Sequence, residues 1–143
     1  MDNRDGHRIV RYADQWWPVH RRNETQVWEI IEKYSLVPYP ADFLGIGRCS
    51  CRPCIFSGKD QCATIKLIAP SQFQRVARKE VGTGLTIHQK FSIVELAEQG
   101  MPYPASADPY WISVGNSQVF DHPVITDDWV LPAGAYGDSL GPT

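Results

Sequence analysis

All four cysteines of the chain fall within the fourteen residues from Cys49 to Cys62, with the spacing C-x-C-x2-C-x7-C. Any fold this chain adopts must hold four thiols in one short loop, and four accounts are open. Thiolates are soft ligands, and Cys49, Cys51, Cys54 and Cys62 together suit a tetrahedral Zn2+ or an iron–sulfur cluster. Gly45, Gly47 and Gly58 allow the backbone to turn sharply around an ion, and Pro53 stiffens the loop between two of the candidate ligands. Arg48, Arg52 and Lys59 stand close enough in sequence to offset the negative charge of a thiolate cage. A pair of disulfides suits a secreted chain, but the N-terminus is polar and charged and does not read as a signal peptide. A redox or catalytic thiol is most plausible in Cys51-x-x-Cys54. Free cysteines that simply pack are the plain alternative. Cysteine arithmetic favours the metal, although a common zinc pattern has two C-x2-C knuckles and this chain has one.

Charge is distributed unevenly. The net charge of the 143 residues is −2, but residues 36–90 carry +5, and residues 91–143 contain no Lys or Arg and seven acids. The balance gives no global reason to expect nucleic acid. A basic centre and an acidic tail are expected to attract each other, or the centre meets an anionic partner; for most of these side chains a solvated helix face is the plainer reading. At 43% hydrophobic residues the chain can build one core, and no apolar run approaches the ~20 residues of a membrane span.

In chain order, residues 8–12 suggest a short strand. Trp16 and Trp17 precede Pro18 and either close the core or form a contact surface; core is the expectation. His20 and His88 read as structural. Asn23 with Gln26 is a capping box, and Val27, Ile30, Ile31 and Tyr34 recur at helical spacing, which predicts a helix over 24–34. Pro38 and Pro40 make 36–41 extended. A short helix over 60–68 puts Cys62 in its first turn, where backbone donors favour a thiolate. Pro70 opens a helix with Phe73, Val76, Ala77 and Val81 buried and Arg75, Arg78 and Lys79 wet, stopped by Gly82 and Gly84. Ser92 and Glu95 form a capping box for another helix ending at Gly100. Beyond Met101, Tyr110–Val114 and Gln118–Phe120 are expected to pair as a hairpin through Gly115-Asn116, and Trp129 to Gly137 to drape over the core.

Ser57-Gly58-Lys59-Asp60 invites a phosphate-loop reading. A phosphate cradle needs a strand, a Gly-rich turn and a helix N-terminus, and this run follows Cys54 rather than an apolar strand.

Several stretches occur together in a recognisable order: Trp17-Pro18-Val19, Gln26-Val27-Trp28-Glu29-Ile30-Ile31, Gly47-Arg48 leading into Cys51-x-x-Cys54-Ile55-Phe56, Asp60-Gln61, Thr86-Ile87-His88, Glu95-Leu96-Ala97, and Leu131-Pro132-Ala133-Gly134-Ala135-Tyr136-Gly137. In this the chain resembles the C-terminal half of phage and prophage proteins of the phosphoadenosine phosphosulfate (PAPS) reductase-like family, relatives of the DNA-phosphorothioation sulfurtransferase. The family's nucleotide-binding half, an α/β sheet with an S-G-G-K-D-S loop, would lie before Met1, and no Cys follows Cys62 where true PAPS reductases carry their catalytic one. Cys49 and Cys62 extend what is a single Cys pair in many phage relatives. The four cysteines resemble the [4Fe–4S] site of the phosphorothioation and adenylylsulfate branches, which favours Fe–S over Zn2+.

The expectation is therefore a mainly α, small single domain of about three to four short helices with Pro-rich irregular connections, a small hairpin and a four-Cys metal loop. Residues 1–100 would form the helical metal-loop domain and 101–143 a Pro-rich, acidic, extended tail packed on it. The loop would staple the 24–34 helix to the two helices that follow it. Functionally, the resemblance implies a metal-binding PAPS reductase-like module, a subunit or partner-binding protein in sulfur-transfer chemistry and not a complete enzyme alone. Its protein partner would be a nucleotide-binding subunit, docking on Trp16, Trp17, Arg48, Arg52 and Lys59. The alternatives are a phage-encoded, anti-CRISPR-like inhibitor of a host defence complex and an autonomous Fe–S redox module. The expected location is the cytoplasm, with no membrane and no direct nucleic-acid binding.

Overall fold

In the computed structural model, residues 16–47 and 52–136 are described. They form six α-helices and one 3-10 helix: α1 (Glu24–Lys33), α2 (Pro40–Phe43), α3 (Lys59–Ile68), α4 (Pro70–Thr83), α5 (Ile93–Gln99), a 3-10 turn (Pro104–Ala107) and α6 (Pro109–Asn116). The protein is mainly helical, as expected from its caps. Among the described residues the only β pairing is an isolated antiparallel bridge between Leu36 and Ile125. The strand suggested over 8–12 lies outside the described residues.

Local chemistry starts each helix. At α1 the Gln26 N–H donates to Asn23 Oδ1 at 2.8 Å, and the Asn23 N–H donates to Gln26 Oε1 at 3.1 Å. At α5 Glu95 N–H donates to Ser92 Oγ while Ser92 N–H donates to Glu95 Oε2. Both pairs satisfy first-turn donors that the helix itself leaves open. Extended backbone ends at Tyr39 rather than at residue 41, because Pro40 sits at the first position of α2 with its ring already fixed near a helical φ.

The core lies between α3, α4 and α5. Cys62, Ile65, Ile68 and Ala69 from α3 and its end, Phe73 from α4, and Ile93, Leu96 and Ala97 from α5 pack with Leu44 and Ile46. On α4 the buried face runs through Phe73, Val76 and Ala77 as expected, but Val81 is 87% exposed. The position that continues the stripe is Glu80, whose carboxylate accepts from Ile87 N–H (2.8 Å) and Ile93 N–H (3.0 and 3.1 Å). Gly82 lies inside α4, and Gly84, in the left-handed region at φ 69°, stops the helix.

Residues 109–116 form α6 and not one arm of a hairpin. Asp108 takes the N-cap, accepting from Tyr110 N–H at 2.8 Å, and Pro109 takes the first helical position. That cap outweighs the strand preference of Tyr110-Trp111-Ile112-Ser113-Val114, and Trp111 gains a stacked contact with Phe43, ring centroids 4.0 Å apart. The segment after α6 runs back along α1 and the residues that follow it. Val37 N–H donates to Val124 O, Thr126 N–H to Ser35 O, Trp129 Nε1 to Leu36 O and Trp28 Nε1 to Ala135 O, all at 2.9–3.0 Å. These bonds hold α1, which buries none of its residues fully; the staple expected from the cysteine loop involves Cys49 and Cys51, which lie outside the described residues.

Candidate functional site

The cysteine segment enters the structure through a turn. Ser57 N–H donates to the Cys54 carbonyl at 3.0 Å, and Cys54 N–H donates to Ser57 Oγ at 3.3 Å. Gly58 follows as the N-cap of α3, and Cys62 closes the first turn with its N–H on Gly58 O at 3.0 Å. Cys54 and Cys62 are both buried and both free thiols, so no disulfide joins them. Cys49, Cys51 and Arg48 lie outside the described residues.

The first-turn position of Cys62 was expected to favour its thiolate. The opposite holds: burial at 2% exposure pushes the Cys62 thiol up to about 11, and the Glu80 carboxylate adds to the effect. Desolvation outweighs the helix N-terminus because the side chain points into the apolar stripe with Ile65 and not toward the open end of the helix. Two sulfur donors with soft character fit a thiophilic metal; for Cys62 the metal must also displace a firmly held proton. Among the described residues, no three His, Cys, Asp or Glu side chains are grouped as metal ligands.

Arg52 is spent inside the molecule. Its guanidinium donates to Asn116 Oδ1 (2.8 Å), Gln72 Oε1 (3.3 Å) and, at the limit of a hydrogen bond, Gly115 O (3.5 Å). It thereby ties the cysteine segment to α4 and to the C-terminal end of α6, where a cation is favoured. Burial pulls the guanidinium below its ordinary pKa. Trp16 and Trp17 are not core residues: they are 86% and 58% exposed. Trp17 meets His20 edge-on at 5.6 Å, and both line an open depression with Pro18, Arg21 and Arg22.

Lys59 stands at the start of α3 over a cavity of about 330 Å³. One side is the first turn of α3, Gly58 to Gln61; the other is His88 and Phe91 with Leu96, Gln99 and Tyr103. Gln61 is buried and braces this corner, accepting from Gly58 N–H and donating to Gly45 O at 3.0 Å. Gly45 has φ 73°, and a Cβ there would collide with the Tyr103 ring, so glycine is required on both counts. Sequence reasoning missed the cavity because it treated Lys59 and His88 separately, and only the packing of α5 on α3 brings them to one cavity.

Among the described residues, no Lys or Arg forms an ion pair with Asp or Glu; the one acid–base side-chain contact is Asp121 Oδ1 with His122 Nε2 at 3.5 Å. The basic centre and acidic tail are therefore not neutralised by contact within the described chain. No helix among these residues is long and apolar enough to cross a membrane. Comparison with family models, with curated proteins and with solved structures finds no match to the chain.

Proposed function

We propose that the chain is a metal-stapled, partner-binding module of the PAPS reductase-like kind, acting with a nucleotide-binding subunit in sulfur-transfer chemistry in the cytoplasm. The observation that carries the metal is the pair of free, buried thiols, Cys54 and Cys62, presented by consecutive turns at the start of α3. Cys49 and Cys51 complete a four-sulfur donor set for a [4Fe–4S] cluster or, second, Zn2+. Bound there, the group would supply folding free energy, with electron transfer in addition if it is a cluster. The chain's own residues do the rest. Arg52 anchors the segment to α4 and α6, and exposed Trp16 and Trp17 offer aromatic anchors of the kind that dominate protein interfaces.

The deciding experiment is metal and acid-labile sulfide content, with a visible spectrum, on protein purified without air. About four irons per chain with charge-transfer colour is the expected result for a cubane on four thiolates. One colourless zinc would keep the staple and remove the redox module. A folded, metal-free protein with four titratable thiols would end the proposal. The seven acidic residues of 91–143, with no Lys or Arg among them, favour a second reading, a non-catalytic inhibitor presenting negative charge to a basic host complex. Stoichiometric, salt-sensitive binding to such a complex without turnover would select it.

A further inference from the structure

The geometry points to a small-molecule site, independent of any metal, in the cavity between the first turn of α3 and the His88–Phe91 connector, taking a small aromatic anion. The cavity's volume of about 330 Å³ suits a single-ring compound. Its walls divide by chemistry. His88 and Phe91 lie nearly parallel, 6.1 Å between centroids and 16° between planes, and with Tyr103 and Leu96 they make a face against which a flat ring can lie. The opposite wall carries Lys59, which has no carboxylate partner among the described residues. Behind it, the first-turn N–H groups of α3 receive no side-chain cap, since Gly58 has none to offer. His88 Nδ1 accepts from Lys90 N–H at 3.4 Å, a local contact that helps hold the ring beside Phe91.

Asp60 also lines the cavity, and its negative charge limits where an anion can sit. Its Oδ1 is engaged by Met101 N–H at 2.7 Å, so the anionic end of a ligand is placed at Lys59 and not at Asp60. The corner is rigid: a Cβ at Gly100 would collide with the Lys59 carbonyl, so the end of α5 is seated directly on the first turn of α3. A rigid, half-apolar cavity with a free cation at one end is preorganised, which lowers the entropic cost of binding.

The test is calorimetric titration of the whole chain with three probes: phenyl phosphate, benzyl alcohol and inorganic phosphate. Phenyl phosphate is expected to bind in the micromolar to millimolar range, tighter than either the neutral ring or the bare anion. Lys59→Met should weaken it about tenfold, the equivalent of one charge-assisted hydrogen bond. Gln99→Trp, at an exposed position on the rim, should close the cavity and abolish binding, with an unchanged far-UV spectrum and melting temperature for both variants. Absence of phenyl phosphate binding at millimolar concentration overturns the assignment. So does binding that both variants leave intact, or inorganic phosphate binding as tightly as the aryl ester. Run on the chain as purified, with its metal and sulfide content assayed on the same sample and folding checked by far-UV spectrum, the titration separates failure here from failure of the cysteine proposal.

Discussion

Individual side chains in this protein are governed by what burial does to charge. Asp42, in the half-buried α2, has its carboxyl raised from 3.8 to about 6, chiefly by desolvation, with a backbone contact to Tyr39 pulling the other way. The folded chain therefore keeps this proton up to about pH 6, whereas the unfolded chain releases it near 3.8. Between these values the native state binds more protons, so the group's contribution favours folding at low pH and is lost as pH rises through the window. Asp42→Asn should raise stability above pH 6, on the order of 1 kcal/mol after allowance for solvent screening, and leave it unchanged below about pH 4. Thermal melts across this range check the sign: an effect that is the same at every pH removes the explanation. Cys62 obeys the same rule, since the apolar stripe that buries it outweighs a helix end that would stabilise its thiolate.

Helices here begin where sequence caps them, but their relations depend on single polar side chains placed on apolar faces. Glu80 is the clearest case. It occupies the core-facing row of α4 and accepts two backbone N–H groups from the connector and the start of α5. It thus fixes the angle at which α5 leaves α4, and α5 then covers α3. Glu80→Ala should destabilise the fold by about 3 kcal/mol, because two N–H donors lose their acceptor, while Glu80→Gln, keeping one acceptor oxygen, should lose about 1 kcal/mol. Urea denaturation separates the two; equal losses would mean that the carboxylate acts through its charge and not as an acceptor. Asp108 plays the comparable part for α6, converting a strand-like apolar run into a helix whose Trp111 reaches Phe43.

At the scale of the whole molecule the cysteine segment is held by Arg52. This residue joins it to α4 through Gln72 and to α6 through Asn116, whose Nδ2 in turn donates to Ile68 O at 3.0 Å and Ile112 O at 2.9 Å. One guanidinium thus connects the candidate metal loop, the α3–α4 junction and the last helix. Arg52→Met should lower stability by about 1–2 kcal/mol through these hydrogen bonds. Lys59→Met, an exposed change, should alter stability by less than about 0.5 kcal/mol. A melting temperature unmoved by Arg52→Met would leave the segment without this anchor. The division between the two cations was not readable from spacing, which places both beside the cysteines.

The starts of α1, α3, α4 and α5 were legible in the sequence to within a residue, from local signals such as Asn23 with Gln26, Ser92 with Glu95 and Pro70 opening α4, whereas α2 and α6, beyond the three to four helices expected, were not. The clustering of four cysteines was equally plain, since it needs no fold to be seen. Which side of each element faces the core was decided elsewhere. Trp16 and Trp17 lie outside although large aromatics favour burial, Val81 gives way to Glu80, and Tyr110–Val114 coil instead of pairing. Those outcomes depend on contacts between segments distant in the chain, α5 on α3, α6 on α2, the 124–136 stretch on α1, and on desolvation that exists only once those segments meet. The cavity beside Lys59 belongs to the same class: its two walls are about thirty residues apart in sequence and become one site only through packing.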